Sequence, residues 1–397
     1  MENAMACLSS FLSREQIAAV RRPLETASLL PLNCYSDPQF HRFEVDQVFM
    51  RTWQAVGRVD EVAQPRQFFT RELFGEPIVV VRDEDGQIHA LSNVCRHRGR
   101  RVAEGSGTCE LRRFTCPYHA WNYALDGQLM HAPFMDKTAG FNPRDWRMPK
   151  LAVDVWQGFI FVNFDAHAEP LSPQLKTLDK VLEKYDMGNM ACVDFERYQG
   201  RWNWKSTLDN FSEAYHQPPV HAHTFEPWCP AQACVYEDTD GPWSLFYMPT
   251  GDGQRFPTSL PPIAGLPEFY YRSAIVINVY PNFHLLIDSS MAMWLDWDIR
   301  AVDDHDLVWR LVVPRSTVLL PDFEVLKQEL HKALKPVWVE DEFACNGHAR
   351  GVQSRFAEQG RLSWMEKSLH QFHNWLMDQY EYDAQNSQAK PRLAAVG

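Results

Sequence analysis

Two residue pairs between Asn93 and Tyr123 are of types that bind metal. The stretch NVCRHRGRRVAEGSGTCELRRFTCPYHAWNY holds Cys95-x-His97 and then Cys116-x-x-His119. Thiolates and imidazoles at such spacing serve zinc or iron–sulfur chemistry. Zinc pairs usually join Cys to Cys and His to His. Here each pair is mixed, which suits a [2Fe–2S] centre with two thiolates on one iron and two imidazoles on the other. Neutral imidazoles in place of charged thiolates lower the cluster's negative charge and raise its reduction potential. Cys109 has no nearby His and reads as a bystander, and His131 as a polar loop residue.

A second constellation lies about a hundred residues downstream, in NWKSTLDNFSEAYHQPPVH. His216 and His221 are five apart, roughly 140° around a continuous helix, so one helix face cannot hold both. Pro218 and Pro219 are expected to end the helix. His216 would then sit on its last turn and His221 would fold back from the loop. Two imidazoles and a carboxylate with open positions form the facial triad of non-heme Fe(II) oxygenases. Glu213, three residues before His216, can accept a hydrogen bond from an imidazole N–H and fix the ring. Asp209 is its rival and reads as a supporting residue. Asn210 is near enough in sequence to line the site, and His223 competes with His221.

These residues need a scaffold. Residues 1–46 read as an irregular or partly helical lead-in that packs on the catalytic domain. From Trp53 to about Phe164 the pattern is of short strands. PIVVVRDEDGQIHALSN and AWNYALDGQLMHAP are hairpins around Asp85-Gly86 and Asp126-Gly127. The first expected domain is therefore all-β and spans 47–166. The Pro-rich AHAEPLSPQ marks the boundary to a second domain, 167–397. There DFEVLKQELHKAL and WMEKSLHQFHNWLMDQY have helical spacing, residues 225–270 read as long loops, and AIVINVY, FHLLID, MWLDWDI and LVWRLVV read as antiparallel strands. Strands and helices in blocks give α+β.

Bulk properties narrow the function. Lys and Arg number 39 against 51 Asp and Glu, a formal charge of −12. That argues against nucleic acid and against an anionic membrane surface. Nine Cys in a chain of 397 residues, without regular spacing, suggest reduced thiols and a cytoplasmic location. No secretory signal and no apolar run long enough to span a bilayer are evident.

Both motif blocks together resemble the terminal oxygenase α subunits of the Rieske non-heme iron oxygenases, the aromatic-ring-hydroxylating dioxygenase family. The resemblance rests on Cys95-Arg96-His97-Arg98-Gly99, on Cys116-Pro117-Tyr118-His119-Ala120-Trp121 and on the Asn203–His221 block. It covers the chain from about Phe43 to Tyr380. Two departures stand out. Eighteen residues separate His97 from Cys116, a longer loop around Ser106–Glu110, and Ala120 replaces a frequent Gly with one added methyl.

The resemblance implies an N-terminal Rieske [2Fe–2S] domain and a helix-grip (START-like) catalytic domain with a central antiparallel sheet. It implies that Cys95, His97, Cys116 and His119 hold the cluster. His216, His221 and Asp341, the last within VWVEDEFACNGHARG, hold one mononuclear Fe(II), with Glu340 and Glu342 as rivals of Asp341. O2 would be the co-substrate. Glu213 would link His216 to His119 of a neighbouring chain in a head-to-tail trimer, with or without a small β subunit. Electrons would come from a separate reductase, with or without a ferredoxin, since the chain has no GxGxxG dinucleotide fingerprint.

The expected function is hydroxylation of a small organic substrate, in the first place an aromatic compound. Phe211, Phe246, Tyr280, Phe283 and Trp294 are candidate pocket residues. The alternative is monooxygenation or oxidative demethylation of a quaternary or N-methylated amine, for which an aromatic cage would be apt. Other classes are an electron-transfer protein using the Rieske centre alone and a zinc-stabilised binding protein.

Overall fold

A computed structural model describes residues 7–251 and 255–382. The chain divides into two compact units. Of the described residues, one comprises 49–172, and the other 7–48 with 173–251 and 255–382.

The first unit is built on a seven-stranded antiparallel sheet. Its order is Gln54–Arg58, Phe159–Asn163, Lys150–Trp156, Ile88–Ser92, Glu76–Arg82, Gln67–Leu73 and Ser106–Thr108. Both expected hairpins form, with Gly86 and Gly127 at φ +84° and +91°, a backbone region open to glycine. The long loop before Cys116 is partly a strand, since Ser106–Thr108 pairs with Gln67–Phe69 at the sheet edge. A smaller sheet of Arg113–Thr115, Asn122–Ala124 and Leu129–His131 packs beside it. The segment beyond Phe164 stays with this unit. Ser172 N–H and Oγ–H donate to Asp154 at 2.8 and 2.7 Å, and Trp53 Nε1 donates to Glu169 O at 3.0 Å. The division thus falls after Ser172, within the Pro-rich stretch and a few residues beyond the expected boundary at 166.

The second unit is an antiparallel sheet around a long helix. The strand order is Met190–Gly200, Asp304–Pro314, Ala292–Ala301, Phe283–Ile287, Ser273–Val279, Trp243–Pro249 and Val235–Tyr236. Ser273–Val279 is buried at every residue, so this strand is covered on both faces. The helix Phe323–Gly351 continues through Pro336 and joins DFEVLKQELHKAL to the acidic stretch after it. Its Trp338 stacks on Trp309 with centroids 5.4 Å apart and meets Phe195 edge-on. These contacts seat the helix on two strands of the sheet.

Two expectations are corrected. Residues 225–270 are not all loop, because Val235–Tyr236 and Trp243–Pro249 are strands. The helix after Asn203 does not run to the prolines. It ends at Phe211, and Ser212 N–H closes it on Leu208 O. Pro218 and Pro219 open a one-turn helix, Gln217–Val220, rather than stopping one. Proline is well suited to a first turn, where its N–H would go unused.

The N-terminal segment is tied to this unit by charge. Lys205 Nζ donates to both oxygens of Glu44, at 2.8 and 2.7 Å, and Tyr380 OH donates to the same carboxylate. Neither Lys205 nor Glu44 is exposed. The lysine sits among the rings of Trp204, Tyr35 and Phe40. Removing one partner of such a pair leaves an uncompensated buried charge. Lys205→Met is therefore expected to destabilise this unit by about 3–5 kcal/mol, read from the urea midpoint. A shift below about 1 kcal/mol, the size of a surface pair, would show that the pair does not anchor the segment.

Candidate active site

The two Cys–His loops of the first unit share one backbone pattern. Cys95 N–H donates to Arg100 O at 2.8 Å, and Gly99 N–H to Cys95 O at 3.0 Å. Cys116 N–H donates to Trp121 O at 2.8 Å, and Ala120 N–H to Cys116 O at 3.0 Å. Each loop needs a left-handed residue four positions after its Cys. Gly99 has φ +73° and Ala120 has φ +54°. Ala120 is therefore more than an added methyl. It holds a conformation in which a Cβ costs about 1–2 kcal/mol.

The loops bring the four expected residues together. Cys95 and Cys116 are buried, and burial raises the Cys95 thiol. Tyr123 OH lies 3.2 Å from Cys95 Sγ and accepts from Arg96 N–H at 3.0 Å. The rings of His97 and His119 are 4.6 Å apart, and His97 lies parallel to Trp121 at 5.0 Å. His97 Nδ1 is buried without a partner. An orphaned imidazole nitrogen beside two buried thiols fits a metal cluster. A single zinc, bonded at about 2.0–2.3 Å, would draw all four donors to one point. Among the described residues the group of three or more gathered within 4.8 Å is a different one.

That other group is His216, His221 and Asp341. The two histidines flank the one-turn helix Gln217–Val220 at its N- and C-caps, and Asp341 comes from the long helix. Asp341 Oδ1 is 3.0 Å from His221 Nε2 and 3.6 Å from His216 Nε2. Each ring is held from behind by a carboxylate. His216 Nδ1 donates to Glu213 Oε1 at 2.6 Å, and Glu213 Oε2 accepts the His216 backbone N–H at 3.0 Å. His221 Nδ1 donates to Glu340 Oε2 at 2.8 Å, which also accepts from Thr224 Oγ1 at 2.6 Å. Burial disfavours the charged form of His216, but Glu213 and then Asp341 outweigh it and raise its pKa. Burial likewise opposes charging of His221, while Asp341 and Glu340 raise it. Both Nε2 atoms converge on Asp341, leaving a set of two imidazoles and one carboxylate that can hold one ion.

Glu340 is a rival of Asp341 by sequence and a different part of the site by geometry. Adjacent helical residues point about 100° apart, so Asp341 meets one nitrogen of His221 and Glu340 the other. Sequence alone could have suggested this only from the need of each metal-binding imidazole for a partner on its far nitrogen. Asp209 does not reach the ion site. It accepts from Tyr35 OH and lies 3.1 Å from His373 Nε2. His223 is exposed and outside the group.

A partly open pocket of about 550 Å³, the solvent-filled mouth included, lies at the triad. Its walls include Phe211, Phe225, Phe246, Trp309 and Trp338, with Met248, Val276 and Leu286. Of the expected aromatics, Phe211 and Phe246 line it. Tyr280 instead packs on Phe372 and Trp375, and Phe283 and Trp294 pack on each other. Asn210 and Glu213 also line a second cavity, with Tyr35, Asp209, His348 and Glu366. They form the partition between the two spaces. Burial raises Glu366 to about 7, against the hydrogen bond from Ser363 N–H and with help from Glu213 and Asp209.

Both units match known protein families. Residues 52–143 match the family model of the Rieske [2Fe-2S] domain, and residues 187–382 that of the ring hydroxylating alpha subunit (catalytic domain). The chain belongs to the Rieske non-heme iron oxygenases, as a terminal oxygenase α subunit. It is 29% identical to the chloroplastic choline monooxygenase of Arabidopsis thaliana, over 88% of this chain and 82% of that one. It is 34% identical to the carnitine monooxygenase oxygenase subunit of Escherichia coli (strain K12), over 50% of this chain and 53% of that one. That match spans only about half of the relative. The fold also matches a crystal structure of the quaternary ammonium Rieske monooxygenase CntA, with TM-score 0.79, 23% identity, and 93% and 99% of the two chains covered. Members of this family use a Rieske cluster, a mononuclear iron and O2, with an electron-donating partner and a small organic substrate. No described helix is long and apolar enough to cross a membrane.

Removing a carboxylate that orients a metal-binding imidazole typically costs 10–100-fold in metal affinity or activity. Glu340→Gln is expected to weaken Fe(II) binding at the triad by about 10–100-fold, measured by chelator competition, with the cluster absorption unchanged. An unaltered affinity would leave Glu340 as a helix-surface residue that merely touches His221.

Proposed function

We propose that this oxygenase acts on a quaternary or N-methylated amine, inserting one oxygen atom into a C–H bond beside the nitrogen. The arene expected from the sequence gives way to this alternative. The observation that carries it is the aromatic wall of Trp309, Trp338 and Phe211 over the triad. Aromatic faces attract a desolvated ammonium. The naming of the matched relatives for choline and carnitine supports the same class. One C–H bond breaks and one C–O bond forms. The second oxygen atom of O2 leaves as water after two electrons and two protons are supplied.

Cys95, Cys116, His97 and His119 would hold the [2Fe–2S] cluster, and His216, His221 and Asp341 the mononuclear iron. When bound, the two centres would supply stored electrons and O2 activation respectively. The chain's own residues do the positioning. Glu213 and Glu340 hold the two rings by their Nδ1–H groups. The apolar wall excludes water and seats the substrate beside the triad.

By family resemblance, the chain forms a head-to-tail trimer, in which Glu213 joins His216 to His119 of the partner subunit. In support, Glu213 lines the second cavity as well as the substrate pocket. A reductase would be the electron source, with or without a ferredoxin between them.

Two experiments test this reading. Product analysis with iron-loaded enzyme and a reductase should show oxidised methylated amines and no ring diols. Arene diols without amine products would reverse the assignment. With iron in excess to keep the triad loaded, Glu213→Gln should retain the cluster and slow turnover by about 10–100-fold. Unchanged cluster-to-iron electron transfer in single-turnover absorbance would remove Glu213 from the path.

A further inference from the structure

Two buried polar side-chain atoms of the described pocket wall lack a partner: Trp309 Nε1, a donor, and Gln217 Oε1, an acceptor. Gln217 directly follows His216 and is 4% exposed. Its backbone is fixed, since Gln217 N–H donates to Ala214 O at 3.1 Å and Gln217 O accepts from His221 N–H at 2.8 Å. Its Nε2 donates to Met248 Sδ at 3.2 Å. Its Oε1 is buried with no partner among the described residues. Rotating the amide would set the carbonyl oxygen against the thioether, two acceptors face to face. The orientation that keeps N–H on sulfur therefore leaves an acceptor for the pocket. Buried acceptors are costly unless a donor meets them.

The charge of the lining is the second observation. Among the described lining residues there is no Lys or Arg. The ionisable groups are Glu213, Asp341, His216 and His221, and both imidazoles are engaged by carboxylates. A carboxylate on the substrate would lose its water and meet no Lys or Arg side chain to pair with. It would also face Gln217 Oε1 and two carboxylates. Burying an unpaired charge in this way is strongly unfavourable. A hydroxyl or N–H on the substrate would instead satisfy Gln217.

We propose that Gln217 determines specificity by accepting a hydrogen bond from an uncharged donor, a hydroxyl or N–H, on the tail of the amine, and that the pocket rejects amines with a carboxylate tail. This rests on the amine reading above and narrows it to ammonium alcohols and their like. The residue acts on binding and takes no part in the chemical step.

The test is equilibrium binding to the iron-loaded protein, by calorimetry or by quenching of tryptophan fluorescence, since Trp309 and Trp338 line the pocket. Choline, propyltrimethylammonium and glycine betaine serve as probes with a hydroxyl, no polar group and a carboxylate. Choline should bind about tenfold more tightly than the propyl analogue, the worth of one buried hydrogen bond. Glycine betaine should bind more weakly than choline by at least about tenfold. Gln217→Met should abolish the preference for choline over the propyl analogue. Equal or tighter binding of glycine betaine would overturn the proposal, as would a hydroxyl preference unchanged in Gln217→Met. In either case the amine reading stands if the other ammonium probes bind. If no ammonium probe binds and an arene is oxidised, the amine reading fails too.

Discussion

Two imidazoles on one short turn must aim the same nitrogen at one point. A free histidine ring can flip and has two tautomers, so sequence proximity does not secure that. Here a carboxylate behind each ring settles both. Glu213 takes the Nδ1–H of His216 and Glu340 that of His221. Each ring then presents its Nε2 to Asp341. The two carboxylates come from different elements, one from the turn after Phe211 and one from the long helix. The site therefore requires that the helix and the turn be held in a fixed relation. Thr224, bonded to the same Glu340 oxygen, adds a strut from the segment beyond His221.

The rest of the unit supplies that fixed relation at both ends of the 203–221 segment. At its start, Lys205 is locked to Glu44 and Tyr380, which joins three helices around a buried ion pair. At the turn, Ser212 Oγ accepts from Asn278 Nδ2, and Asn278 Oδ1 accepts from His284 Nδ1 on the central sheet. Burial lowers His284 to about 3, so the ring stays neutral and its tautomer is set by that bond. Glu213, the next residue after Ser212, is thereby anchored to the sheet. Its place in the partition between two cavities follows from this anchoring.

The sequence pointed to both residue groups because their types are rare together, and to the hairpins because Asp-Gly turns have a steric cause. It did not disclose how the 203–221 segment is wound. Pro218 and Pro219 read as a stop, yet proline is equally at home in a first helical turn, and nothing local distinguishes the two. The acidic stretch Glu340–Glu342 was ambiguous for a similar reason. Only the helix phase, set by packing of Trp338 on Trp309, decides which acid meets which nitrogen. The pocket was the least legible part. Phe211 and Gln217 lie within the 203–221 segment, yet nothing local shows which of its side chains face the pocket, and Phe246, Trp309 and Trp338 are joined to it only by the tertiary fold.

The same arrangement gives the pocket its electrical character. Glu213, Glu340 and Asp341 place three carboxylates around two imidazoles. One divalent cation at the triad would offset two of those charges and leave one. The neighbouring walls are apolar and aromatic, so the residual negative charge is poorly screened there. A flat neutral arene gains nothing from that field. A cationic substrate is drawn to it and is also received by the faces of the tryptophans. The carboxylates that orient the metal-binding rings thus also favour cationic substrates, and orientation and selectivity arise from the same side chains.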